Sequence, residues 1–178
     1  MQVSVRTARR NEFDTVGDLT VAAYRALPVD HLWGGYETDI RDVAGRAESC
    51  EVLVAVDPHE TVRGAVTFVS DPDSRWLEWT EPGELQFRLL AVDVSARAHG
   101  IGAALVRGCL ERAGTRPVVI HTTRWMEAAQ RLYERLGFVR RRDRDVPYAE
   151  WFDPARDHDL PREWLDESFL AYRFSPAD

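Results

Sequence analysis

Cysteine is scarce in this chain. Cys50 and Cys109 are the only two, far apart in sequence and without a Cys-x-x-Cys pair. That scarcity excludes a disulfide framework or a zinc site, and no metal is expected. Cys109 reads instead as a small buried thiol on a helix. Long apolar runs are missing too. Nothing approaches the ~20 residues that cross a bilayer, and the opening Met1-Gln2-Val3-Ser4-Val5-Arg6 lacks the apolar centre of a signal peptide. A cytoplasmic protein with no membrane partner is the expectation. Positive charge is in deficit, with 23 Lys and Arg against 30 Asp and Glu, a net −7 and a pI near 5.3. A nucleic-acid binder would rest on a basic face, so no such partner is expected. The chain of 178 residues shows no repeat, low-complexity tract or linker, and reads as a single domain over 1–178 with one sizeable core.

Two familiar phosphate motifs are also absent. No G-x-x-x-x-G-K-[ST] occurs, which argues against a nucleoside triphosphatase. A dinucleotide fingerprint would need a third glycine near Leu105 and an acidic residue closing the next strand. Pro117-Val118-Val119-Ile120-His121-Thr122-Thr123 has none, so an oxidoreductase fragment is disfavoured. What is present is an apolar run, Leu89-Leu90-Ala91-Val92-Asp93-Val94, then Arg97-Ala98-His99-Gly100-Ile101-Gly102-Ala103, then helical periodicity. The glycines allow close backbone approach, the helix start aims free N–H groups and a positive dipole end, and Arg97 adds a full charge. The loop is built for an anion, a pyrophosphate above all.

A second stretch, Met126-Glu127-Ala128-Ala129-Gln130-Arg131-Leu132-Tyr133-Glu134-Arg135-Leu136-Gly137-Phe138, is helical by pattern. Ala129, Leu132, Tyr133 and Leu136 share a face, and Gly137 stands where a left-handed cap closes the helix. With these two segments, R-x-x-G-x-G and A-x-x-x-Y-E-x-x-G-F, the chain resembles the GNAT superfamily of acetyl-CoA-dependent N-acetyltransferases, well over about 50–140 and in outline at the ends.

The remaining elements agree with that fold. A first strand spans Gln2–Thr7, and a helix capped by Asn11 runs to about Leu27 with Phe13, Val16, Leu19, Ala23 and Leu27 on one stripe. A helix is expected over Glu37–Ser49, a hairpin over Cys50–Asp57 and Thr61–Ser70, and strands over Glu84–Val94, Val118–Thr123, Phe138–Val146 and Glu167–Phe174. The resemblance implies an α/β (α+β) domain: a mixed, mostly antiparallel sheet of about six to seven strands, about four helices, and a splayed parallel pair ending near Val94 and Thr123.

The resemblance also implies a chemistry, which is acetyl transfer from acetyl-CoA, bound as a co-substrate, to a primary amine in a ternary complex. The diphosphate would lie on Arg97, Ala98, His99, Gly100, Ile101, Gly102 and Ala103. The pantetheine arm would lie on backbone groups of Ala91, Val92 and Val94, with the Val92 N–H or a neighbour as oxyanion donor. Tyr133 aligns with the family's general acid. Gln86 stands where many relatives carry a basic glutamate, which leaves two candidates for the base: Glu84, two residues earlier, and His121 on the fifth strand. Met126 replaces a common asparagine, so contact with the cofactor there is apolar.

The acceptor, a small-molecule or peptide amine, is expected in irregular segments: Tyr24, His31, Trp33 and Tyr36; Trp76 and Trp79; and Tyr148, Trp151, Phe152 and Trp164 beside Glu150 and Asp153. Each of these aromatics could equally cover the core. Arg140-Arg141-Arg142-Asp143-Arg144-Asp145 reads as a solvated, ion-paired strand. A non-catalytic acyl-CoA-binding or sensor domain is the alternative that the Gln86 and Met126 departures keep open. A homodimer is neither implied nor excluded.

Overall fold

A computed structural model of the chain describes residues 2–27, 36–151 and 166–176. The first strand, β1 (Ser4–Thr7), leads through a single 3-10 turn to helix α1 (Phe13–Arg25). The cap is not Asn11. The Glu12 carboxylate accepts the Arg9 N–H at 2.7 Å, which satisfies an orphan donor at the dipole's positive end. The single helix expected over 37–49 is two short ones, α2 (Tyr36–Arg41) and α3 (Val43–Arg46). Asp42 separates them because its side chain accepts the Gly45 N–H at 2.8 Å and starts a new helix.

The expected hairpin forms as β2 (Glu51–Val56) and β3 (Val62–Val69), followed by β4 (Leu85–Val92), α4 (Ile101–Ala113), β5 (Val118–Thr122) and α5 (Glu127–Arg135). The strand expected over 138–146 is broken into β6 (Val139–Arg140), a 3-10 turn and β7 (Val146–Pro147). Its charges explain the break. Asp145 takes both Arg140 terminal nitrogens at 2.6 Å and the Ala171 N–H at 3.0 Å, curling the chain between them. Helix α6 (Tyr148–Trp151) and strand β8 (Ser168–Phe174) complete the described elements.

The sheet order is β1-β2-β3-β4-β5-β8-β6, with β7 also on β8, and every pairing is antiparallel except β4 with β5. The mixed, mostly antiparallel α/β architecture is therefore as expected. Among the described residues it carries eight strands rather than six or seven, and six helices rather than four. The additions are all short segments. Strand β2 is apolar on both faces. Leu53 and Ala55 pack under α4 and α5, while Val52, Val54 and Val56 pack with Val16 and Val43 on the other side.

Two irregularities in β4 position the site. Thr67 pairs with Arg88 but Ala65 pairs with Ala91, so three steps on β4 face two on β3, and Leu89 is driven to φ 54°. Leu85 and Phe87 pack on the α4 side, whereas Leu89 packs with Val21 and Ile40 on the other, and Leu90 and Val92 return. The second irregularity is the parallel pairing itself. It consists of Leu85 with Val118 and Gln86 with Val119, after which β4 and β5 separate. Helix α4 packs closely on β3 and β4 because Gly64 has no side chain. A Cβ there would lie 2.9 Å from the Ala91 carbonyl and 3.0 Å from Ile101 and Leu105.

Candidate active site

At the start of α4, Gly100 takes φ 78°, which a Cβ would strain, and no side chain caps the helix. The first intrahelical bond is Ala104 N–H to Gly100 C=O, so the amides of Ile101, Gly102 and Ala103 precede it and point outward. They open on a groove that Ala91, Val92, Arg97, Ala98 and Met126 also line. The Arg97 guanidinium donates to the Ala23 carbonyl at 3.3 Å and ties the loop to the end of α1. Arg135 of α5 also lines the groove, a second cation that the sequence reading missed. Two expected contacts differ. Val94 lies in a 3-10 turn, 49 % exposed and off the groove, because Asp93 accepts the Ser95 N–H and ends β4 early. His99 also lies off the groove and bonds its own loop through Nδ1, 2.8 Å from the Arg97 carbonyl.

Past Leu90, Trp125 and Met126, which line both, the groove meets a second hollow between the separated strands. Its walls are aromatic. Tyr24 and Tyr36 meet at 6.3 Å, Tyr36 and Trp151 at 5.6 Å, and Trp79 meets Phe169 at 5.4 Å and His121 at 5.2 Å. Tyr133 rises into it from α5, held by Phe87, Phe138 and Tyr172. Its hydroxyl has no hydrogen-bond partner among the described residues, and burial pushes the phenol well above its ordinary value. His121 lines the same hollow. Neither ring nitrogen makes a hydrogen bond of ordinary geometry, and burial, only partly offset by the nearby Arg144 backbone, lowers the imidazole to about 4.

Glu84 is placed elsewhere. It lines neither hollow, and its carboxylate accepts from Arg144 twice at 2.9 Å, from Arg173 at 2.7 Å and from the Glu81 N–H at 2.8 Å. Burial alone would raise its pKa, but these hydrogen bonds outweigh burial and hold it at about 2. A carboxylate so occupied is no proton acceptor, and the expectation that it serves as base is corrected. Gln86 has a role of its own. It donates to the Glu78 carbonyl and accepts the Glu78 N–H, both at 3.1 Å, and so fixes the segment carrying Trp79. A glutamate could not do both. Met126 caps α5 without an amide, and its sulfur accepts the Thr122 hydroxyl at 3.6 Å.

Of the expected aromatics, Tyr24, Tyr36, Trp79 and Trp151 reach the hollow, while Trp76 is buried under Arg75 and Arg88. Tyr148 packs on Trp125 and Phe169. His31, Trp33, Phe152, Asp153 and Trp164 lie outside the described residues. The sequence reading also missed Arg88 and Thr123, which line the hollow. A lone arginine inside the apolar run Leu85-Gln86-Phe87-Arg88-Leu89-Leu90 was the available signal.

The fold and this paired groove and hollow define an acyltransferase. The model of the acetyltransferase (GNAT) domain matches residues 48–140, and the chain belongs to that family. No curated protein matches the chain. Among solved structures, the histone acetyltransferase HPA2 and related acetyltransferase of Corynebacterium glutamicum is 23 % identical, with a TM-score of 0.68, over 100 % of this chain and 98 % of that one. The yncA protein of Salmonella typhimurium, solved with its cofactor acetyl-CoA, is 14 % identical over 99 % and 95 %, with a TM-score of 0.65. The ribosomal-protein-S18-alanine N-acetyltransferase of Escherichia coli is 15 % identical over 99 % and 97 %, with a TM-score of 0.65.

Proposed function

We propose that the protein transfers an acetyl group from acetyl-CoA to a primary amine by direct attack, without an acetylated protein intermediate. The observation that carries this reading is the separation of β4 and β5 beyond Gln86 and Val119, with the α4 amides at one end and Tyr133 and His121 at the other. The residues suit the group. Gly100 leaves the loop open, Ile101–Ala103 and Arg97 supply donors for a diphosphate, and Arg135 adds a cation. Ala91 and Val92 lie on the edge of β4 that has lost its strand partner, so their backbone groups are available to a pantetheine amide. Acetyl-CoA, when bound, supplies the activated thioester.

In this reading the amine nitrogen bonds to the thioester carbon, and the Val92 N–H or a neighbour receives the developing oxyanion. The carbon–sulfur bond then breaks, and the Tyr133 hydroxyl, fully protonated at working pH, donates to the departing sulfur. The proton lost by the nitrogen goes to His121. Imidazole lowered to about 4 is neutral at pH 7 with its lone pair open. It passes the proton on to water rather than keeping it, and the apolar walls favour the neutral amine for the same reason that they favour neutral imidazole.

The test is thiol release from acetyl-CoA with a panel of primary amines, alongside calorimetric titration with CoA. Amine-dependent thiol release is expected. Tight CoA binding with no release on any amine would leave only a binding domain.

A further inference from the structure

The aromatic hollow holds more polar chemistry than a plain amine would use. Arg88 lines it with its side chain only 16 % exposed, donating through Nη1 to the Trp76 carbonyl at 3.1 Å and to Glu78 at 2.9 Å. Its Nε has no partner. Arg46, 1 % exposed and within electrostatic reach of Arg88, donates among the described residues to the carbonyls of Asp39 and Ile40. Among the described residues, the two enclosed guanidiniums have one ion-paired carboxylate, Glu78 on Arg88, which is itself 33 % exposed at the rim. The carboxylate that acts on Arg46 is Asp42, exposed at the surface as the α3 cap. Enclosed positive charge in excess of its counter-charge is costly, and an anion entering the hollow relieves it. The Tyr36 hydroxyl lies beside Arg88 and offers a second donor.

The same hollow carries acceptors in need of donors. The Thr123 hydroxyl oxygen is buried without a hydrogen-bond partner, and the His121 ring, buried with no bond of ordinary geometry, offers one acceptor nitrogen in its neutral form. We propose that the acceptor carries a carboxylate as well as its amine, on an apolar body, and that Arg88 receives the carboxylate while Thr123 and His121 face the amine. This rests on the transferase reading. It assigns the amine to the acceptors near Tyr133, the carboxylate to the guanidinium, and the apolar body to the rings of Tyr24, Tyr36 and Trp79. A fork of guanidinium donors matches a carboxylate and nothing in an uncharged amine.

The experiment compares matched pairs on the wild-type protein: L-phenylalanine with 2-phenylethylamine and with its own methyl ester, L-leucine with 3-methylbutylamine, and 4-(aminomethyl)benzoate with benzylamine. Each is followed by thiol release, with kcat/KM expressed per free amine. At least one carboxylate member is expected to exceed its uncharged partner tenfold or more. In Arg88→Met that ratio should collapse toward one, and in Arg88→Lys it should be intermediate. The wild-type comparison stands even where a variant fails to fold. Equal or better use of the uncharged member in every pair would overturn this inference and leave the transferase reading intact. Thiol release with no member of any pair or other amine, despite CoA binding, would remove both.

Discussion

The carboxylate of Glu84 sits in the fork of Arg144, which lies 60 positions away in sequence, with each terminal nitrogen 2.9 Å from an oxygen. Arg144 also donates to the Trp79 carbonyl at 3.2 Å, so the pair joins the start of β4 to a wall of the aromatic hollow. Glu84→Gln is expected to cost roughly 3 kcal/mol, the low end for breaking a buried pair on one side, which is roughly 6–12 °C in Tm for a domain of this size. The sign of the pH effect follows from the lowered pKa. Stability from Glu84 is present above the usual carboxylate value of 4.5 and is lost as pH falls toward 2. Thermal melts between pH 7 and 2 should show a shallower acid loss in Glu84→Gln, while the pH dependence of turnover between 5 and 8 keeps its shape.

Gly100→Val tests the anion cradle. A β-branched residue at φ 78° is strained where glycine is not. Space is not the obstacle, since nothing lies within 4 Å of the added Cβ. The loop is expected to tilt its amides away, with CoA affinity falling about tenfold, or ~1.4 kcal/mol. Isothermal titration reads this directly. An unchanged Kd would place the diphosphate elsewhere.

Tyr133→Phe removes a hydroxyl that has no protein partner among the described residues, so stability should stay within about 0.5 kcal/mol of wild type. Turnover should fall by about 10²-fold or more, with CoA affinity unchanged. Because burial holds the phenol protonated, the wild-type profile should show no alkaline decline from this residue below pH ~10. Preserved turnover in the phenylalanine variant would make Tyr133 a packing residue alone.

His121 titrates at about 4 instead of near 6.5. If it accepts the amine proton, the acid limb of kcat/KM should lie near pH 4, and a limb at 6 to 7 would point to a different group. Its lowered pKa acts on folding as well. The unfolded chain takes up a proton below about 6.5 that the folded chain refuses until about 4, so stability falls as pH drops across that window. His121→Gln should lose this part of the acid sensitivity and most of the turnover.

The chain's features divide by the range of the forces behind them. Gly100 and Gly102 at the start of an amphipathic helix, the α5 face of Leu132, Tyr133 and Leu136, and the Gly137 cap at φ 89° were all legible in the sequence, because each is set by backbone sterics and periodicity within one or two turns. The roles of Glu84, Gln86 and Arg88 were not. Glu84 read as a candidate base and Gln86 as the residue standing where a basic glutamate is common, both on one strand face. Only the arrival of β8 and Arg144 turned the first into a buried ion pair, and only the fold of the preceding segment gave the second two bonds to Glu78. The extra residue at Leu89 shifts side chains to the other face of β4, and it answers to its pairing with β3 rather than to any local pattern. The sequence alone determined where an anion can be held, since a handful of neighbouring residues suffices for that. The tertiary structure decided which charged groups remain free to act on a substrate, because partners for a buried charge come from wherever in the chain the fold brings them.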